Sequence, residues 1–308
     1  NNSSFATMIG AYAGAQNLSG NEVVFTGFRA GELNKYGGQH VGIGAYALRE
    51  NISGNASVAV GYRAGERTLD GGYNTMIGAY SGQDNRSGNF NTMGGYSAGR
   101  SAFLGNENTY FGAYAGYSNS RGSGNSLFGY RSGANLKYGD LNVAIGAFSL
   151  ESAKYAYCNV VIGPFSGRNQ SGNSVNNVLI GTDVATNAQT KESVIIGTSA
   201  AKNLIGSGLI VIGNEAANST TLIHGNCNIL IGSGANLFSD SNNFGIAIGN
   251  LNTLTYTNSV SIGININNES QNSVIIGNTL TSDAPQSVVI GNDIALQSVK
   301  FYKDPLYY

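Results

Sequence analysis

Residues 58–82 read VAVGYRAGERTLDGGYNTMIGAYSG, two passes through one pattern in which a short apolar strand ends on a glycine, first Gly61 and then Gly78. The step extends in both directions. Gly10, Gly27, Gly44, Gly61, Gly78, Gly95, Gly112, Gly129, Gly146 and Gly163 stand 17 residues apart. The same step recurs at Gly181, Gly197, Gly213, Gly232, Gly249, Gly263, Gly277 and Gly291, at spacings of 18, 16, 16, 19, 17, 14, 14 and 14. A unit this short cannot bury a hydrophobic face alone, so each must be one coil that gains a core by stacking on its neighbours. The pattern predicts an all-β chain, a parallel β-solenoid of about 18 short coils in one elongated domain. It divides into regular coils with a 34-residue alternation (1–172), irregular coils with insertions (173–253), compact 14-residue coils (254–298) and an aromatic cap or neck (299–308).

Composition agrees with a turn-rich repeat. Glycine supplies 45 of 308 residues without a period of three, which excludes a collagen-like chain, and charged residues are only 11%. A net charge of −1 leaves no basic footprint for nucleic acid, and no signal peptide or membrane span is evident. The chain begins in mid-pattern, as expected of a processed piece of something longer. Cys158 and Cys227 lie about four coils apart, too far for a disulfide within one chain, and read as small buried apolar residues.

Compared down the stack, the residue before each motif glycine is Ile, Val or Phe in 16 of 18 coils, with Thr26 and Gly94 as exceptions. Three before it stands Val, Thr or Ile, with Ser126 as the exception. These two positions share a strand face and are expected to form the inner wall. The position between them is also apolar (Met8, Phe25, Ala59, Met76, Met93, Tyr110, Leu127), so both faces should be covered. The simplest cover for the second face is another copy of the chain, and three-fold symmetry is expected. Asn74, Asn91, Asn108, Asn125, Asn142, Asn159 and Asn177 form a row that reads either as an amide ladder or as local caps of the entering turn. A second glycine series, Gly20 to Gly139 in steps of 17, marks the other corner, where positive φ is expected.

Candidate binding residues follow from the alternation. Two steps after the glycine the chain reads Tyr12, Arg29, Tyr46, Arg63, Tyr80, Ser97, Tyr114, Arg131 and Phe148. Each guanidinium can then sit between tyrosine rings, a contact of about 0.5–1 kcal/mol when exposed. Such a stripe serves either to stack sugar rings or as packing at a corner or inter-chain seam. Tyr117, Tyr155 and Tyr157 are further exposed candidates. Insertions are expected to bulge as loops at 186–192, 217–226 and 238–243, the second carrying His224 and the third Asp240. No nucleophile elbow, phosphate loop, zinc spacing or calcium loop is present, and carboxylates such as Asp183 and Glu192 form no axial pair at repeat spacing. The chain reads as non-enzymatic, with no cofactor. An ice-binding surface would need a flat exposed threonine row, whereas Thr75 to Thr109 is expected on the inner face.

The segments NTMIGAYSG, SVAVGYRAG, NVAIGAFSL and the late NSVIIGN resemble the head repeats of trimeric autotransporter adhesins and similar arrays in viral tail fibres and spikes. The resemblance covers residues 5–298. It implies a left-handed β-roll packed as a homotrimeric rod that attaches to a host-surface glycan or protein, with no membrane insertion. The 17-residue coils depart from the family's usual 14. The absence of a heptad stalk tilts the expectation towards a virion tail fibre or spike; a bacterial surface adhesin and a purely structural spacer are the alternatives.

Overall fold

A computed structural model describes residues 5–170, 172–218, 223–237, 242–292 and 295–296 of the chain. Among these there is no helix. The chain forms a parallel β-solenoid that divides into two compact units, Asn1–Val175 and Asn176–Tyr308. In the first unit, strands such as Thr75–Ile77, Thr92–Gly94 and Thr109–Phe111 precede the motif glycines and pair in parallel with the strands 17 residues on, residue for residue. In the second unit the row runs from Val178–Ile180 through Ile246–Ile248 into two nine-residue strands, Val260–Asn268 and Val274–Ser282.

The two faces of the motif strand are the reverse of the sequence expectation. The middle residue of each strand points inward: Phe25, Ala59, Met76, Met93, Tyr110, Leu127 and Ala144 are fully buried. The residues before and after it point outward, so Ile77 is 50% exposed and Phe111 48%. Alternation forces all three positions to exchange faces together, and a strand apolar on both sides gives no local sign of which face is inner. The threonine row Thr75, Thr92 and Thr109 is accordingly on the outer face, half-buried. It spans three coils between valine and serine, too short for an extended threonine plane.

The inner row is matched by volume across the coil. In the first unit a second glycine stands four residues after the motif glycine wherever the strand residue is Met, Phe, Tyr or Leu. A Cβ on Gly116 would lie 2.8 Å from the Tyr110 ring, and one on Gly31 would lie 2.5 Å from the Phe25 ring. Where the strand residue is small the partner is large in two coils: Gly42 shares its coil with Leu48, and Ala144 with Leu150, both leucines fully buried. In the coil of Ala59 and Gly65 both are small, and Met76 and Leu48 of the adjacent coils reach into the space beside Gly65. The core is thus filled by exchanging size between two walls and between neighbouring coils. In the second unit Ile266, Ile275, Leu280 and Val289 pack the corresponding core.

The asparagine row is an axial ladder. Asn91 donates Nδ2 to Asn74 Oδ1 at 3.1 Å and to Gly105 O at 2.9 Å, while its backbone N–H reaches the same Asn74 oxygen at 2.9 Å. The pattern repeats at Asn108, Asn125 and Asn142. The carbonyls it uses belong largely to the second glycine series, and this corrects the expectation of positive φ there. Gly105 is outside the left-handed region, yet a Cβ on it would lie 2.2 Å from Gly122 O and 2.8 Å from Asn108 Nδ2. Glycine is required for close backbone approach between coils. A second buried row, with Asn17, Asn34 and Asn51, closes the adjacent turn through bonds such as Gly20 N–H to Asn17 Oδ1 at 3.0 Å.

His40 takes the ladder position two coils before Asn74 and is fully buried. Ser57 N–H donates to its Nδ1 at 3.2 Å, so Nε2 carries the proton and donates to Gly54 O at 2.7 Å. Burial pushes the imidazole below its ordinary value, outweighing the backbone contacts to Gly54 and Ser57 that raise it. A depressed folded value means the neutral ring contributes fully above about pH 6.5 and the contribution is lost as pH falls through the folded value. The thermal midpoint is thus expected to fall between pH 7 and 5, and His40→Asn, which restores the ladder residue, to flatten that fall. Identical pH profiles for the two proteins would remove His40 as the cause.

Residues 186–192, expected to bulge as an inserted loop, do not, and their coil from Gly181 to Gly197 is 16 residues, one shorter than the regular 17. Gln189–Lys191 is a strand that pairs in parallel with Leu204–Ser207, which in turn pairs with Ile223–His224. The segment forms a second strand in its coil, because a backbone already stacked at strand spacing satisfies its own polar groups by pairing.

Candidate functional site

The corner after each motif strand is a tight turn. In the coil of Gly112 the glycine carbonyl accepts the Ala115 N–H at 3.2 Å, and Tyr114 is held at φ 59°. The equivalent residues Tyr12, Arg29, Tyr46, Arg63, Tyr80 and Arg131 all lie at φ between 55° and 63°. Non-glycine residues in this region cost energy, so the rings and guanidiniums are retained here against a backbone preference for glycine. Their α-carbons repeat once per coil through inter-coil bonds such as Tyr114 N–H to Tyr96 O at 2.9 Å.

The rings from the first and second positions after the glycine interleave. Tyr12, Phe28, Tyr46, Tyr62, Tyr80, Tyr96, Tyr114, Tyr130 and Phe148 form one unbroken series, each edge to face with the next at centroid distances of 5.2–6.3 Å. Coils with alanine first and tyrosine second alternate with coils that carry the ring first, so each ring meets its neighbour's edge, the preferred geometry for aromatic pairs. Arg29 lies 5.4 Å from the Tyr12 ring and 5.3 Å from Phe28, and Arg63 lies 5.3 Å from both Tyr46 and Tyr62. The Tyr114 phenol is pushed above its ordinary value, by desolvation first and then by its tyrosine neighbours, with Tyr96 foremost.

Five residues after the glycine runs a polar ladder that inspection for identical residues misses. Arg49 joins Glu32 at 3.1 Å to Glu66 at 3.3 Å, Gln83 donates to Glu66 at 2.7 Å, and Arg100 donates to Gln83 at 2.9 Å. Three and four coils beyond Arg100, Glu151 and Arg168 pair at 2.9 Å. The row alternates acceptor and donor instead of repeating one residue, and that complementarity is its only mark in the sequence. Tyr117 continues it, and Ala134 breaks it. At the break a cleft of about 370 Å³ opens, lined by Tyr114, Tyr117, Tyr130, Arg131, Ala134 and Asn135.

Of the residues singled out from the sequence, Tyr114 and Arg131 therefore reach one cleft, and Tyr12, Arg29, Tyr46, Arg63 and Tyr80 lie along the ladder leading to it. Tyr155 and Tyr157 belong to a different place, the strand Tyr155–Tyr157, where Tyr155 stacks on Tyr138 at 5.4 Å. With Lys154, Asn169 and Gln170, Tyr155 lines a second cleft of about 340 Å³. Asp240 lies outside the described residues, as does most of the 238–243 segment. Asp183 is paired with Lys202 and accepts a hydrogen bond from Thr186 at 2.7 Å. Cys158 and Cys227 are free and exposed, contrary to the buried reading, because both occupy the positive-φ turn before the strand, at φ 56° and 55°.

Among the described residues no cluster of three His, Cys, Asp or Glu side chains could hold a metal ion, and no helix is long and apolar enough to cross a membrane. The fold and this surface define a parallel β-solenoid whose first unit carries an aromatic and arginine ladder with a cleft at Ala134, where the polar row is interrupted. No protein-family model matches the chain, and no curated protein matches it in sequence.

Proposed function

We propose that the chain is a non-enzymatic attachment protein, the shaft and receptor-binding part of a viral tail fibre or spike on the virion surface, assembled as a homotrimer that engages a host-cell glycan or protein. The observation that carries this reading is the apolar outer row. Ile9, Ile43, Ile77, Phe111, Phe128, Ile145 and Ile162 recur on it immediately before their motif glycines, with Thr26 and Gly94 as interruptions; in the second unit Ile248, Ile262 and Ile276 do the same, and Val194 and Ile210 are exposed at the start of their strands. A contiguous apolar face of this extent marks an interface. A partner that meets one apolar side chain per strand step must share the step, and another copy of this chain does. Gly94 supports a built surface, since the Phe111 ring lies where its Cβ would stand, 2.7 Å away, and Phe111 stacks on Phe128 at 6.1 Å. Closed symmetry among identical subunits covers such a face without leaving an open end. The resemblance to adhesin heads and tail-fibre arrays supports three as the number.

Light scattering is expected to give three times the 31.9 kDa chain mass. Replacing Ile77 and Phe111 by glutamate should shift the population to monomer while retaining strand content by circular dichroism. A stable wild-type monomer would overturn the trimer. The same outer row fits a bacterial surface adhesin or a spacer without its own ligand; attachment of the wild-type protein to host-type cells separates a receptor-binding role from the spacer.

A further inference from the structure

From the coil of Gly27 to that of Gly163 the position five residues past the motif glycine carries a long side chain or ring in eight of nine coils; the coil of Gly10, where the row starts, has Ala15. Glu32, Arg49, Glu66, Gln83, Arg100 and Tyr117 fill it, then Ala134 leaves it empty, and Glu151 and Arg168 resume it. A repeat that only packs has no reason to omit one rung, since a rung removed costs its ladder contacts on both sides. The omission coincides with the 370 Å³ cleft and with a tyrosine of the polar row meeting the aromatic series: Tyr114 lies 5.7 Å from Tyr117 at a 54° tilt and 6.2 Å from Tyr130 at 85°.

The charges around this gap are unequal. Glu151 is almost fully buried and is held by two guanidiniums, Arg131 Nε at 3.0 Å and Arg168 Nε at 2.9 Å. Arg131 spends only its Nε on that pair and keeps its side chain 43% exposed at the cleft, with its terminal nitrogens outside that contact. Arg100 lies 6.0 Å from the Tyr117 ring. Of these arginines Arg131 alone lines the cleft; Arg168 is tied to Glu151, and Arg100 donates to Gln83. Asn135, exposed and lining the same cleft, adds a carboxamide with donor and acceptor together. Flat rings suit the C–H face of a pyranose, a carboxamide suits adjacent hydroxyls, and an uncommitted guanidinium edge suits a carboxylate. The cleft is built from positions one, two, five and six past the motif glycines, none of them in the motif strands.

We infer that this cleft, lined by Tyr114, Tyr117, Tyr130, Arg131, Ala134 and Asn135, binds a carboxylated pyranose, with the ring stacked on a tyrosine and the carboxylate on Arg131. The inference rests on the attachment reading and names the ligand class for it. One ladder-breaking alanine creates the site, so restoring the rung closes it. Ala134→Gln places at this position the residue that Gln83 supplies three coils earlier, where it is almost fully buried and bonded on both sides.

The test is titration calorimetry of the full chain with sialyl-lactose and methyl glucuronide as carboxylated probes and lactose as the neutral control. The wild type is expected to bind at least one carboxylated probe at millimolar affinity or better and to bind lactose at least tenfold more weakly. Ala134→Gln should lose binding at least thirtyfold with an unchanged melting midpoint. Asn135→Ala, at an exposed position, should weaken it severalfold and keeps the test open if the first variant folds poorly. Equal binding of lactose, undiminished binding by both variants, or no binding of either carboxylated probe would overturn the assignment. Cell attachment by the same proteins separates the two levels. Wild type and Ala134→Gln attaching alike would leave the attachment reading standing and remove this cleft from it; sugar binding without attachment would keep the cleft and remove the reading.

Discussion

Gly112→Ala is expected to destabilise the first unit by more than about 3 kcal/mol, with the loss confined to the coils on either side. Gly112 sits at φ +133°, a region that residues with a Cβ occupy at a cost of about 1–3 kcal/mol. A methyl group there would also lie 2.5 Å from Gly129 O and 2.7 Å from Gly129 C. The strands cannot move apart to relieve it, because Gly112 N–H is bonded to Gly94 O and Gly129 N–H to Phe111 O, each at 2.8 Å. Gly42→Ala is the matched control. Gly42 lies within the strand Val41–Ile43, outside the left-handed region, and its added methyl meets only the edge of the Phe25 ring at 2.9 Å. That ring can tilt, so the cost should be roughly 1 kcal/mol. Hydrogen exchange read amide by amide should show accelerated exchange at Gly129 in Gly112→Ala and little change in Gly42→Ala. Equal effects of the two substitutions would show that backbone stacking of the motif glycines is not what fixes the repeat.

The coil period, the strand that precedes each motif glycine and the asparagine ladder are legible in the sequence because each rests on one residue type repeated at fixed spacing. The inner and outer faces are not, since Ile77 and Met76 are both apolar and the period of two says only that they differ in face. The decisive sign is distributed: Phe25 with Gly31 and Gly42 with Leu48 conserve summed volume, which identifies the middle strand residue as the one that meets the opposite wall. Gly105 and its equivalents are legible as glycines but not for their reason, because close approach to Gly122 O depends on the next coil, 17 residues away. The site divides in the same way. Tyr114 and Arg131 stand out by alternation, whereas Ala134 and Asn135 matter only against the polar ladder, and that ladder runs on complementarity between unlike residues such as Glu66 and Gln83.

Asn108→Ala should cost about 3–5 kcal/mol, and a companion variant distinguishes hydrogen bonding from packing as the cause. Asn108 Nδ2 donates to Asn91 Oδ1 at 3.1 Å and to Gly122 O at 2.8 Å, and its Oδ1 accepts from Asn125 N–H at 3.0 Å and Asn125 Nδ2 at 3.1 Å. Truncation leaves Gly122 O and the Asn125 N–H buried without these partners, at about 1–3 kcal/mol each. Asn108→Asp keeps shape and volume but replaces the donor pair by an oxygen that faces two acceptors. Ionised, it repels both Asn91 Oδ1 and Gly122 O; protonated, it donates to one of them. Burial and those acceptors should therefore hold the folded carboxyl above its ordinary value of about 3.9. A folded value raised above the unfolded one gives stability that is full below about pH 3.9 and lost as pH rises through the folded value. Relative to wild type at each pH, Asn108→Asp should thus approach wild-type stability on acidification, while Asn108→Ala stays equally destabilised throughout. Parallel pH profiles for the two variants would mean that the row is held by packing, and that its amides contribute no net hydrogen-bond stability to the stack.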